Sequence, residues 1–194
     1  MDDAKNTWIF GVYIDGELAS SIRLSVTTAG CTDLPALQVF SDILAPEIKR
    51  GKVIVDPTRF VADHLSSRRY VELPYVTLRL PWLAMEYFNA ELMLAAVRAE
   101  HQAFYERLWG HQVVCPPRPY PSLEKPISLM TLEYNAVRDE VHKRLPFFRS
   151  TDWERRQLFG RKSVDGLPHA LAEAQAHRIA VCGARHREKS ILGP

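Results

Sequence analysis

The chain has 194 residues, 46% of them apolar, with a formal net charge of +2. That is ample for one core-bearing domain and too little positive charge to mark nucleic acid as the partner. No stretch is apolar for long enough to span a membrane, no basic-then-apolar leader follows Met1, and Cys31, Cys115 and Cys182 lack disulfide or zinc spacing, which fits reduced thiols in a cytoplasmic protein.

WIFGVYI (residues 8–14) and ELASSIRLSV (17–26) read as two strands joined by a tight Asp15-Gly16 turn, because Asp-Gly supplies the positive φ such hairpins need. Leu37, Phe40, Ile43 and Leu44 have helical spacing, and Pro46 predicts a stop. The basic IKRG then leads to a strand, KVIVDPTRFVADHL, with Pro57 expected at a bulge or an unpaired position. After a polar SSRR turn, ELPYVTLRLPWLAMEYFNA predicts a helix, with Pro74 in its first turn and Pro81 as a kink or break. ELMLAAVRAE is a nearly continuous apolar run, as in a central strand covered on both faces. HQAFYERLWG predicts a short helix ended by Gly110, PPRPYPSLEKP a Pro-rich linker, and ISLMTLEYN a last strand. VRDEVHKRLPFF suggests a final turn of helix.

The order implies an α/β (α+β) fold: a mixed, mostly antiparallel sheet with helices on both faces. The predicted organisation is a domain over residues 1–148 and a C-terminal tail over 149–194, partly helical or disordered, in which PHALAEAQAHRI could form a helix. Within VDPTRFVADHL, Asp56, Arg59 and Asp63 interrupt an apolar strand, and ionised groups are rarely buried unless paired. They are either a structural ion-pair set or part of a site.

Five stretches, DGELASSIRLSV, VDPTRFVAD, LPYVTLRLPWLAMEYF, VRAEHQAFYERLWG and PPRPYPSLEKPISLM, span residues 8–135 in family order. Through them the chain resembles the GNAT-like N-acyltransferases that take their acyl group from acyl carrier protein. Within these it is most similar to long-chain N-acyl amino acid synthases, relatives of the acyl-homoserine-lactone autoinducer synthases. The family's Arg-Leu and acidic-x-Ser-Arg-Phe patterns correspond to Arg23-Leu24 and Asp56-Pro57-Thr58-Arg59-Phe60, with Asp for Glu and Thr for Ser.

The resemblance implies a site. Asp56 is expected to aid deprotonation of the attacking amine, Arg59 to organise the centre, and Tyr105 to protonate the leaving thiolate. Arg23, Phe60, Val61, Arg98, Glu100 and His101 are expected to bind substrate. It also implies that two central strands, VDPTRFVAD and ELMLAAVRAE, part to admit a 4'-phosphopantetheine arm whose amides satisfy the exposed backbone. Acetyl-CoA users of this fold begin the next helix with a Gly-rich pyrophosphate loop, whereas SSRRYVELPY has no glycine, favouring an acyl carrier protein donor over free acyl-CoA. Lys49, Arg50, Arg68 and Arg69 are the residues expected to meet that acidic carrier. Such domains normally open with a strand and two helices. The hairpin here starts at Trp8, so that unit is expected to be missing and one sheet edge bare. Trp82, Met85 and Phe88 have core spacing unless an acyl tunnel reaches them. The leading function is acyl transfer to an amino acid's α-amine; the alternatives are an autoinducer synthase using S-adenosylmethionine and a non-catalytic carrier-binding remnant.

Overall fold

The computed structural model describes residues 4–121, 123–160 and the backbone of 178–180. β1 (Thr7–Ile14) and β2 (Glu17–Val26) form the expected hairpin, with Asp15 at φ 52° and Gly16 at φ 88°. Positive φ at both central residues matches the turn's twist to that of the strands.

α1 (Leu37–Lys49) does not stop at Pro46. The helix bends at Phe40 (φ −118°, ψ 28°), is anchored by the buried Phe40 and Leu44, and ends at Gly51, whose φ is 83°. Pro46 lacks a donor but keeps its acceptor, which receives the Arg50 N–H at 3.2 Å. Likewise α3 (Leu73–Tyr87) continues through Pro81, which is buried among the side chains that pin this helix to the sheet. Burial outweighs one lost helical hydrogen bond in both cases.

β3 (Ile54–Ala62) ends earlier than the sequence pattern predicts. Asp63 caps α2 (His64–Arg69): its Oδ2 accepts the Ser66 N–H at 2.7 Å, and that bond holds the carboxyl below the usual range. β4 (Leu92–Val97), α4 (Ala99–Trp109) and β6 (Ser128–Glu133) follow as predicted, with Gly110 at φ 85° closing α4. β5 (Gln112–Val113), too short to show a period, pairs with β6 just ahead of the stretch read as linker. α5 (Tyr134–Arg144) extends over three turns rather than one.

The sheet runs β5-β6-β4-β3-β2-β1-β7, where β7 is Arg178–Ala180. Its pairs are antiparallel except β3/β4 and β1/β7. Helices cover both faces. On one, Ile22, Leu24, Val55 and Met93 pack with Leu78, Trp82, Met85 and Trp109. On the other, Ile54, Leu92, Leu94 and Leu129 pack under Phe40 and Leu44 of α1.

Ordered structure continues past residue 148. α6 (Asp152–Phe159) buries Leu158 and Phe159 in the first core, Arg79 of α3 pairs with Glu154, and Arg155 bonds Glu86 and Ser150. The outer edge of β1, expected to be bare, pairs in parallel with Arg178–Ala180. The helix predicted over 168–179 lies outside the described residues apart from its last two, which are in β7, and Cys182 lies outside them as well.

Candidate active site

Two local features shape the centre. β3 and β4 pair only at Ile54–Leu92 and Val55–Met93, then separate, while β4 stays paired with β6 through Val97. On its other side β3 carries a bulge: Arg59 and Phe60 lie opposite the single residue Ile22, with Arg59 at φ 51°. The extra residue re-aims the side chains that follow it. Pro57, expected at a bulge or an unpaired position, instead pairs with Leu24 two residues before the bulge begins; its missing N–H is tolerated because this part of β3 has left β4.

The separation opens a cleft of about 500 Å³. Thr58, Arg59 and Phe60 form one wall, Leu94 to Arg98 the other, and His101, Phe104 and Tyr105 of α4 the cover. Ile22 and Leu78, both 1% exposed, close the inner end. Burial pushes the Tyr105 phenol up to about 12, so it stays protonated at neutral pH. Trp82 and Met85 are fully buried and Phe88 packs against the same core; none lines the cleft.

A second cavity of about 450 Å³ lies on the α1 face, lined by Asn6, Thr7, Arg23, Ser25, Asp33 and Gln38 among others. Asp56 is wholly buried; it pairs across the strands with Ser25 of the second cavity's wall and is followed by Pro57 of the cleft's wall. Its Oδ2 accepts the Ala36 N–H at 2.9 Å, and its Oδ1 has no hydrogen-bond partner among the described residues. Burial drives the Asp56 carboxyl up to about 6, against the Ala36 N–H and the Arg23 guanidinium, which both draw it down. Arg23 is 5% exposed, and its Nε donates to Thr58 Oγ1 at 2.9 Å. A buried carboxyl titrating near pH 6, with one oxygen that still lacks a donor, has the proton affinity suited to taking a proton from an ammonium.

Of the residues expected from sequence, Arg59, Phe60, Arg98, His101 and Tyr105 meet at the cleft; Arg23 lines the second cavity, and Asp56 is buried behind that cavity's Ser25, its cross-strand partner. Val61 does not join them: it is 61% exposed, because the bulge resets the alternation before it. Glu100 lies at the rim, 3.8 Å from Arg98 and 3.9 Å from Lys125, and its own backbone N–H with those cations holds it below the usual carboxylate range. The two basic pairs are separated. Arg68 and Arg69 end α2 at the open end of β3, whereas Lys49 and Arg50 end α1 at its paired end, a nine-residue strand of roughly 30 Å away. Arg50 is tied to Glu47 at 2.7 Å. Sequence reading missed His111, 1% exposed against Tyr105 and Trp109 and pushed by burial down to about 3, and Tyr120. Neither has a local pattern that marks it.

The family model of the N-acyl amino acid synthase FeeM matches residues 1–133. No curated protein matches the sequence significantly. Among solved structures, FeeM, an N-acyl amino acid synthase from uncultured soil microbes, superposes with a TM-score of 0.62 at 16% identity, over 69% of this chain and 76% of that one. TofI, solved with an inhibitor and MTA, gives 0.52 at 17% identity over 76% and 74%. BjaI, a CoA-dependent acyl-homoserine lactone synthase solved with SAM and isopentyl-CoA, gives 0.50 at 13% identity over 74% and 66%. At these identities the likeness is one of fold: a GNAT-like acyltransferase sheet.

Proposed function

The chain belongs to the N-acyl amino acid synthase FeeM family, and we propose that it moves a long-chain fatty acyl group from the phosphopantetheine arm of an acyl carrier protein to the α-amine of an amino acid. The observation that carries this reading is the position of Asp56, buried beside the point where β3 leaves β4, with Pro57 and Thr58 after it lining the cleft and its cross-strand partner Ser25 lining the second cavity. The cleft, lined mainly by apolar side chains, suits the acyl-thioester. The second cavity, with Arg23 and Asp33 at its walls, suits a zwitterion.

In this reading the acceptor's ammonium loses a proton to Asp56, and the free amine attacks the thioester carbonyl, forming the C–N bond. The developing oxyanion is held by backbone donors of β4 on the side it turns to β3, which beyond Met93 has no strand partner among the described residues. Collapse breaks the C–S bond, the thiolate takes up the Tyr105 proton, and the proton that the new amide nitrogen sheds restores the phenol. Arg59 and Arg98 line the cleft where the arm enters.

Two features favour a carrier-protein donor. The chain between α2 and α3 has no glycine, and Pro74 removes a donor from the first turn of α3, weakening the anion cradle that a CoA pyrophosphate would use. Arg68 and Arg69 adjoin the exposed Leu65 and Val71 at the open end of β3, a basic and apolar surface that fits an acidic helical carrier. The test is a reconstituted reaction: purified protein, a mixture of amino acids, and one long-chain acyl group presented on acyl carrier protein or on CoA, with products identified by mass spectrometry. N-acyl amino acids from the carrier-borne acyl group, with CoA much poorer, are expected. Equal use of CoA overturns the donor assignment, and no product from either overturns the transfer.

A further inference from the structure

We propose that Tyr120 is a positioning residue for Asp56, acting through the peptide unit that joins Pro35 to Ala36. The inference rests on the reading of Asp56 as the base that takes the acceptor's proton.

The Tyr120 hydroxyl donates to the Pro35 carbonyl oxygen at 3.4 Å, and the Ala36 N–H donates to Asp56 Oδ2 at 2.9 Å. The two bonds lie at opposite ends of one planar amide. A donor at the carbonyl end polarises the amide and strengthens the N–H at the other, so the phenol and the carboxylate are coupled without touching. The result fixes one carboxylate oxygen and leaves Oδ1, buried and without a hydrogen-bond partner among the described residues, as the oxygen that meets the amine.

The loop bearing Tyr120 is held for this task. Arg118 and Ile127 close it with a reciprocal backbone pair at 2.8 and 3.0 Å. The Arg118 guanidinium then reaches α1: it binds both Asp42 oxygens at 2.6 and 2.8 Å and the Val39 carbonyl at 3.0 Å, and lies over the Phe40 ring. These contacts dock the loop on the helix that begins just after Ala36, and Pro35 and Ala36 are themselves buried. The charged or titratable groups around Asp56 are Arg23 from β2, Tyr120 from the loop, and Asp33, exposed on the rim of the cavity that Arg23 lines. Of these only Tyr120 is bonded to the carbonyl of the amide that holds Asp56.

The test is a carboxyl ¹³C NMR titration of the full chain with labelled aspartate, the Asp56 signal being assigned by its loss in Asp56→Asn. Tyr120→Phe removes the hydroxyl and keeps the ring; Arg118→Lys keeps the hydroxyl and loosens the loop. The Asp56 midpoint is expected to rise in Tyr120→Phe and by less in Arg118→Lys. Acyl transfer in Tyr120→Phe is expected to fall roughly threefold at pH 6 and to recover at pH 8, with KM for the acyl donor unchanged. An unmoved midpoint in both variants, or a loss of rate equal at every pH, overturns the proposal. The titration needs no turnover, so a wild type that makes no N-acyl amino acid overturns the proposed function and leaves this inference to be decided by the midpoints.

Discussion

Asp56 is the residue at which stability and chemistry pull in opposite directions. Burial raises its carboxyl from 3.8 to about 6, so between those values the folded chain keeps a proton that the unfolded chain has released. Its contribution is therefore fully present below about pH 4 and is lost as pH rises through 6, a cost on the order of 3 kcal/mol. Asp56→Asn has no such step. Denaturant unfolding at a series of pH values is expected to show the variant gaining on the wild type by about that amount between pH 4 and 6 while its acyl transfer is abolished; parallel curves would mean that Asp56 titrates normally. Tyr105→Phe is expected to lower kcat by roughly 10²-fold, with binding of the acyl donor retained, because a protonated phenol acts only as the thiolate departs. Asp56 and Arg59 stood out in the sequence as charges in an apolar strand, and Tyr105 through the family resemblance; Arg59 and Tyr105 do line the cleft. Tyr120 was not legible there: it meets Asp56 from 64 positions away, through a backbone amide that no side-chain motif records.

At the scale of elements, the site is made by β3 parting from β4 after two paired residues and by the bulge at Arg59. The hairpin, the central strand and the Gly110-ended helix were legible because local chemistry and tertiary packing agree there. Pro46 and Pro81 misled because buried neighbours carry both helices past a missing donor. Val61, expected from the resemblance to bind substrate, is instead 61% exposed and outside the cleft lining, because the bulge before it resets which side chains turn inward. Ile22 and Leu78 close the inner end of the cleft, so Leu78→Phe is expected to shift products toward shorter acyl chains, read by mass spectrometry of competing acyl donors. An unchanged chain-length profile would mean that the acyl group lies elsewhere.

For the molecule as a whole, the two cavities belong to one sheet whose first core is completed by α6. That helix escaped the sequence reading because its eight residues bear few apolar side chains; Leu158 and Phe159 do the packing, and Arg79 and Arg155 tie it to α3 and the loop before it. Phe159→Ala is expected to cost roughly 3–5 kcal/mol in denaturant unfolding. A cost below about 1 kcal/mol, typical of surface substitutions, would show α6 to be dispensable. The central claim, that this chain makes N-acyl amino acids, is tested most directly by mass spectrometry of lipid extracts from bacteria expressing it beside bacteria expressing Asp56→Asn. Long-chain N-acyl amino acids in the first culture and none in the second are expected; their absence from both, with the protein folded and abundant, would contradict the account.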